Sequence, residues 1–233
     1  KLERSEERQS DFQSMLFHEL RNQLFIIGGY SERIAEKRFL TPEKYQHCAA
    51  VIRECSNSLN SLTDEVLFLS RLETDEYPLP LVGICLEEIT RDVISLLAQQ
   101  AEEKEIFIDF EKTGNIPKMR LNTTALKLSL SNLIENAIKY SPKNSDICVS
   151  LQSQEKLSAI VKVKDSGPGI PEKDIGKIFD KFYRGKDVKN NTKGTGIGLY
   201  VAKILIEAMG GVIGVETEDG NGSCFSVVFQ KMK

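Results

Sequence analysis

Three groups of polar residues have types and spacings that chemistry could use. The first is Asn132, Asn136 and Lys139, which lie at i, i+4 and i+7 and therefore share one face of a helix. Asparagine oxygens suit a hard cation such as Mg²⁺ that is held mostly by water and phosphate, and the ammonium can meet a phosphate oxygen. The same face also reads as an ordinary solvated one above a core of Leu128, Leu133 and Ile138. The second group is a pair of glycine loops. Asp165-Ser166-Gly167-Pro168-Gly169 follows an apolar run and sets a lone carboxylate at a strand end, where it could accept from an exocyclic amine such as that of adenine. Gly194-Thr195-Gly196-Ile197-Gly198-Leu199 leads straight into a helical pattern. There the glycines permit positive φ and the helix start offers unpaired N–H groups, so a polyphosphate is the natural guest. Taken singly, either loop is also an ordinary turn. The third group surrounds His18, one of two histidines.

The elements that must position these groups fall into two halves. Over the first 75 or so residues the apolar positions recur at helical spacing. Phe12, Leu16, Leu20, Leu24, Ile27 and Ile34 form one stripe, and Tyr45, Cys48, Ile52, Cys55, Leu59, Leu62, Val66 and Leu69 alternate steps of three and four, the pattern of a bundle seam. Thr41 can cap the second helix, with Pro42 at its first position and Glu43 in its first turn. Two helices with one stripe each cannot close a core, so the expected unit is a homodimer whose hairpins join as a four-helix bundle. On a wheel of about 100° per residue, His18 points about 180° from the first stripe and Asn22 about 40° from His18. An imidazole on an outward face, beside the carboxylate of Glu19, can attack phosphorus through one nitrogen while the carboxylate orients the other. His47 has no such neighbours.

Thr74 to Pro80 contains two prolines spaced by one residue, which favours extended backbone and ends the helical half. The expected division is a hairpin over 1–75, a linker over 76–80 and a second domain over 81–233. In that domain the period alternates. Helices are expected near 86–104, 124–140, 172–178 and 197–209, and strands near 106–110, 147–152 and 159–165. A left-handed stop at Gly210-Gly211 precedes a closing hairpin that ends in Phe225, Val227 and Phe229. This order implies an α/β sandwich with a mixed sheet and helices on one face.

Composition excludes several classes. The 233 residues hold 31 Lys plus Arg against 34 Asp plus Glu, a net charge of −3, which argues against a general nucleic-acid binder. The longest largely apolar stretch, Leu79 to Leu86, is far short of the roughly 18 to 20 residues that cross a bilayer, so no membrane contact is expected. Five cysteines without a CxxC pair disfavour a zinc site or a disulfide framework and fit a reducing cytosol. The chain opens inside a charged helical run at Lys1, without Met, so a preceding segment, such as a sensor with or without a membrane anchor, is expected.

Taken together, FHELRN at 17–22, SNLIENAIKY at 131–140, DSGPG at 165–169, FDKFY at 179–183 and GTGIGL at 194–199 resemble the H, N, G1, F and G2 boxes of sensor histidine kinases, in order and spacing. The resemblance covers nearly the whole chain. It implies a dimerisation and phosphotransfer hairpin followed by an ATP-binding domain of the Bergerat fold. ATP would be the nucleotide and Mg²⁺ its cofactor, and the γ-phosphoryl group would pass to His18 and then to an aspartate of a separate response-regulator receiver domain. By the same resemblance Asn136 holds Mg²⁺ with Asn132 assisting, Lys139 meets phosphate, Tyr140 packs near the base and Asp165 with Gly167 and Gly169 reads adenine. The loop of Gly194, Thr195, Gly196, Gly198 and Leu199 wraps the phosphates, and Arg184 or Lys193, at the ends of a polar lid, reaches the γ-phosphate. Phe179, Phe182 and Tyr183 are packing under that lid. Asn22 fits the position that orients water for phosphatase activity toward the regulator.

The chain departs from the family pattern where Asn22-Gln23 replaces a common Thr-Pro, which removes the usual cause of a helix kink, and where Asn122 replaces a common aspartate that caps the next helix. Two alternatives stand beside the kinase: a nucleotide-binding dimeric scaffold that transfers nothing, and an ATPase clamp of the related superfamily. In the latter a water-activating glutamate is expected where Asn132 stands.

Overall fold

The computed structural model describes residues 2–36, 41–73, 79–154, 158–181, 183–185, 196–217 and 220–230. The chain forms two compact units, Lys1–Tyr77 and Pro78–Lys233.

The first unit is a helical hairpin of α1 (Leu2–Ala35) and α2 (Pro42–Glu73). Thr41 stands at the N-cap of α2, where its carbonyl accepts from Tyr45 N–H at 3.0 Å. Its hydroxyl holds the first-turn carboxylate of Glu43 below the usual range. Cys48, Cys55 and Leu62, spaced by seven, are the buried line of α2, which is what packing on a single partner helix predicts. The stripe on α1 is less complete than expected. Leu20, Ile27 and Ile34 are half-buried, whereas Leu24 is 58% exposed, because one neighbouring helix covers only part of a stripe this wide. Phe12, Leu16 and Leu69 lie outside the described side chains. His47 meets the edge of the Tyr30 ring, with centroids 6.1 Å apart.

The second unit opens with β1 (Val82–Ile84), α3 (Leu86–Glu103), β2 (Phe107–Thr113), β3 (Met119–Leu121) and α4 (Thr123–Tyr140). It continues with β4 (Asp146–Gln154), β5 (Ser158–Lys164), α5 (Glu172–Ile175), α6 (Gly198–Ala208), β6 (Gly211–Thr217) and β7 (Ser223–Gln230). The main sheet runs β2-β4-β5-β7-β6, with β2 and β4 parallel and the other pairs antiparallel. One face carries Val161, Val163, Phe225, Val227 and Phe229, all buried, while the alternate residues of β5 and β7 are half-exposed or exposed. The buried faces of α3, α4 and α6, with Val93, Leu97, Leu126, Leu130, Leu133, Ile134 and Leu205, complete that core.

Four details differ from the sequence-based expectation. β1 and β3 pair as a small antiparallel sheet, and at three residues each they are too short to show a period. The strand expected at 106–110 begins at Phe107 and runs on through Glu111, Lys112 and Thr113, which pair with Ser150, Leu151 and Gln152. This edge strand accepts charged residues because its partner supplies the ladder. The short helix near 172–178 is helical only over Glu172–Ile175. Gly210 is left-handed at φ 76°, but Gly211 already belongs to β6. A side chain there would stand 2.6 Å from the Phe229 ring, so Gly211 answers a close approach.

Candidate active site

The candidate residues are set out along one helix, α4, and just beyond its far end. Its start is capped by Asn122, whose Oδ1 accepts from Ala125 N–H at 2.9 Å while its Nδ2 donates to the Pro80 carbonyl at 3.1 Å. Capping thus survives the departure from aspartate.

Along the helix, Asn132 is buried, whereas Asn136, Lys139 and Tyr140 are half-buried. The Asn132 Nδ2 has no hydrogen-bond partner among the described residues. Its Oδ1 lies 3.0 Å from where a Cβ on Gly198 would stand, so this residue reaches the start of α6. A buried donor without a partner costs free energy unless a ligand or water completes it. The α6 start has the same need for an acceptor. Ile197 at its N-cap makes no side-chain capping bond, Gly196 is left-handed at φ 72°, and the first-turn N–H groups lack intrahelical acceptors. These are the features of an anion cradle. Gly194, Thr195 and Lys193 lie outside the described residues, and so does Phe182; Gly198 and Leu199 are half-buried in the first turn of α6.

Beyond the far end of α4, Asp165 follows directly on β5. One carboxylate oxygen, Oδ1, accepts from Gly167 N–H at 2.8 Å and from Ser223 N–H at 3.1 Å. The Asp165 N–H in turn donates to the Ser223 carbonyl at 2.8 Å. Clamped this way, the buried side chain leaves Oδ2 as its remaining acceptor. Burial pushes the carboxyl above the usual aspartate range, against the downward pull of the two backbone donors. Gly167 has to be glycine, since a Cβ would stand 2.8 Å from Asp165 Oδ1 and 3.2 Å from the Tyr140 carbonyl oxygen. Gly169 is left-handed at φ 77°. The Lys139 ammonium lies 5.0 Å from the centroid of the Tyr140 ring, and it is the Tyr140 carbonyl that approaches the Asp165 loop at Gly167.

The β6–β7 connection is the part that sequence reasoning missed. Gly222, at φ 83°, sits so close that a Cβ would overlap the Asp165 carbonyl, and Ser223 supplies one of the two donors to the carboxylate. The signal was present as a third glycine turn, Gly220-Asn221-Gly222, but only the fold shows which loop it approaches. Nearby, Phe179 packs edge-on against Phe225 with centroids 6.3 Å apart. The Tyr183 hydroxyl donates to Asp174 at 2.6 Å and is pushed up to about 12 by that carboxylate. Arg184 follows, half-buried.

For a metal ion the fit rests on amides. Among the described residues no group of three or more His, Cys, Asp or Glu side chains could hold one. The oxygens of Asn136 and Asn132 suit a cation that keeps most of its shell as water and phosphate, so the residues present fit Mg²⁺ accompanying a polyphosphate.

In the hairpin, His18 lies in the middle of α1, and its side chain and that of Glu19 lie outside those described. Arg21, Asn22 and Phe25, at i+3, i+4 and i+7 from it, are all exposed.

A nucleotide cradle of this kind on a mixed sheet, preceded by a helical hairpin, defines a class of ATP-binding signalling modules. Residues 122–233 match the family profile described as histidine kinase-, DNA gyrase B- and HSP90-like ATPase, and residues 8–75 match that of the His kinase A (phospho-acceptor) domain. The sensor histidine kinase YvrG of Bacillus subtilis (strain 168) is 30% identical over 217 residues, which cover 93% of this chain and 37% of YvrG. The catalytic domain of histidine kinase ThkA is 30% identical with a TM-score of 0.58, covering 65% of this chain and 95% of that domain. ThkA in complex with the response regulator protein TrrA is 28% identical with a TM-score of 0.68, covering 97% of this chain and 64% of that one. The chain belongs to the sensor histidine kinase family of two-component systems. It spans well under half the length of the curated relative YvrG.

Proposed function

We propose that this chain is the catalytic core of an ATP-dependent protein-histidine kinase that autophosphorylates His18 and donates the phosphoryl group to an aspartate of a separate response-regulator receiver. The observation carrying this reading is the clamped Asp165 carboxylate beyond one end of α4, together with a buried Asn132 Nδ2 on that helix that has no hydrogen-bond partner among the described residues, in the same chain as a phosphoacceptor-domain match over residues 8–75.

In this reading Asp165 Oδ2 accepts from the adenine amine, Tyr140 lies against the base and Lys139 meets a phosphate oxygen. The start of α6, with Gly196, Gly198 and Leu199, donates its N–H groups to the phosphates, and Gly194 and Thr195 extend that loop. Arg184 or Lys193 reaches the γ-phosphate. Mg²⁺, held by Asn136 with help from Asn132, supplies positive charge at the phosphate oxygens. The lone pair of one His18 nitrogen forms the N–P bond as the bond from γ-phosphorus to the bridging oxygen breaks, and ADP leaves with that electron pair. Glu19 orients the other ring nitrogen and favours the charge that develops on the ring. Phosphoryl transfer depends on positioning and charge neutralisation, and the exposed Arg21, Asn22 and Phe25 support an outward face for the attacking ring.

The working unit is a homodimer with a four-helix bundle, in which a second hairpin covers what one leaves open. ThkA has been solved with its regulator, which supports a receiver partner here. Asn22 serves a second activity, removing phosphate from that regulator. No helix among the described residues is long and apolar enough to cross a membrane, which suits a cytosolic station for this segment.

Incubation with γ-labelled ATP and Mg²⁺ tests the reading. The expected result is protein-bound label that is acid-labile and absent from His18→Gln. Phosphate release without labelling would establish an ATPase clamp, and binding without either a scaffold.

A further inference from the structure

Lys104 stands just after α3, outside the glycine loops and the polar face of α4, yet its ammonium reaches across to the end of α4. Its Nζ donates to three main-chain carbonyls: Ile138 at 2.7 Å, Lys139 at 2.6 Å and Ser141 at 2.8 Å. These three bonds match the three donors an ammonium possesses. Last-turn carbonyls lack intrahelical partners and form the negative end of the helix dipole, so a cation is favoured there. Ser141 is only 2% exposed, which leaves little room for water to replace the ammonium. Burial lowers the Lys104 pKa, as expected of a group held by carbonyls without a carboxylate.

What Lys104 fixes is the junction between α4 and the Asp165 loop. The Ser141 hydroxyl oxygen accepts from Ser166 N–H at 3.3 Å, one residue from Asp165. The Tyr140 carbonyl oxygen bounds the space beside Gly167, whose N–H holds Asp165 Oδ1. Two hydrogen bonds and one peptide unit therefore separate the ammonium from the residue carrying the carboxylate.

We propose that Lys104 is a positioning residue for the adenine end of the nucleotide: it pins the end of α4 so that Ser141 and Tyr140 hold the Asp165 loop in register and Oδ2 stays aimed. This rests on the reading of Asp165 as the adenine acceptor. Lys104 itself touches no part of the substrate. A phosphate-binding role is not proposed, because its donors are already engaged with the main chain.

The test compares Lys104→Met and Lys104→Arg with the unaltered chain. Lys104→Met should weaken ATP and ADP by the same factor, about tenfold, since only the base end is disturbed. Labelling of His18 at saturating ATP should stay within about twofold, and Lys104→Arg should recover part of the affinity. Amide exchange at Ser166 should accelerate in Lys104→Met while the β4–β5 ladder is unchanged, and this readout needs no nucleotide. With Asp165→Asn as background, Lys104→Met should add less than about threefold, because the two act through one contact. Unchanged ATP affinity in Lys104→Met, or factors that multiply in the double variant, would overturn the inference while leaving the kinase reading intact. A wild-type chain that binds no ATP would overturn both. Should Lys104→Met fail to fold, Lys104→Gln carries the same comparison.

Discussion

The two units differ in how completely each closes its own core. In the α/β unit a continuous core is sealed, with Leu126, Leu130, Leu133, Ile134, Val161 and Val227 all 0% exposed, although Val82, Leu96, Phe107 and Val212 stay at the surface. Among its described residues the hairpin buries one line, Cys48, Cys55 and Leu62, and leaves Phe17, Leu24 and Leu67 about half or more exposed. A sheet covered by helices, with loops packed at its end, can clamp a carboxylate between two backbone donors. Two helices alone cannot, and their uncovered apolar surface asks for a partner. The division follows the two family matches, an ATPase-type profile on the closed unit and a phospho-acceptor profile on the open one.

The largest effect should come from breaking the unfinished core. Leu24→Asp places a charge where the proposed bundle closes, and each dimer contains the substitution twice. Losing about 1.5–3 kcal/mol of burial per leucine should weaken dimerisation on the order of a thousandfold. Sedimentation should show monomers at concentrations where the unaltered chain is dimeric, with ATP affinity unchanged. A variant that stays dimeric would mean that Leu24 faces something other than a second hairpin.

The finished unit is probed at Gly222. There a Cβ would overlap the Asp165 carbonyl and also occupy the left-handed region at φ 83°. Gly222→Ala should cost about 2–4 kcal/mol in denaturant unfolding, from overpacking and backbone strain together. Gly220 is the internal control: it is equally left-handed at φ 85° but has nothing within 4 Å of a Cβ, so Gly220→Ala should cost about 1–2 kcal/mol, the backbone part alone. Equal losses at the two positions would show that the close approach to Asp165 carries no weight.

What could be read from sequence follows the range of the interaction. Asn132, Asn136 and Lys139 announced a shared face because helical period is local, and Asp165 announced itself as a carboxylate between an apolar run and a glycine turn. Cys48, Cys55 and Leu62 fell on the predicted seam for the same reason. Ser223 and Gly222 did not stand out, since their meaning comes from a contact with a residue 58 positions away in sequence. Lys104 carries no local signal, because the Ile138, Lys139 and Ser141 carbonyls that receive its ammonium lie more than 30 residues away in sequence. The β1–β3 pair joins segments some 37 residues apart through three residues each, and neither segment alone carries a period. The role of Gly211 was misread because a left-handed stop and a close approach to Phe229 call for the same residue.

The smallest effect, and the one that most sharpens the contrast, is a slope with pH. Burial raises the folded-state pKa of Asp165, so the folded protein holds this proton more tightly than the unfolded chain, where an aspartate titrates near 3.8. As pH rises from 3.8 through the raised folded value, the unfolded state gives up its proton first. Through this group, stability therefore falls with rising pH across that window and is constant above it. In the proposed reading nucleotide affinity runs the other way, because the ionised Oδ2 is the acceptor for the adenine amine, so ATP binding should weaken on acidification before an ordinary aspartate would titrate. Glu135 on α4 is also raised by burial and adds to the stability slope, so the Asp165→Asn variant is the needed reference. It can keep both backbone bonds through Oδ1, but it offers an N–H₂ group to an amine. At neutral pH its ATP affinity should drop on the order of a hundredfold, with the fold retained. Subtracting its pH profiles from those of the unaltered chain should leave two slopes of opposite sign over the same window. Slopes of the same sign would mean that the carboxylate is not what the base meets.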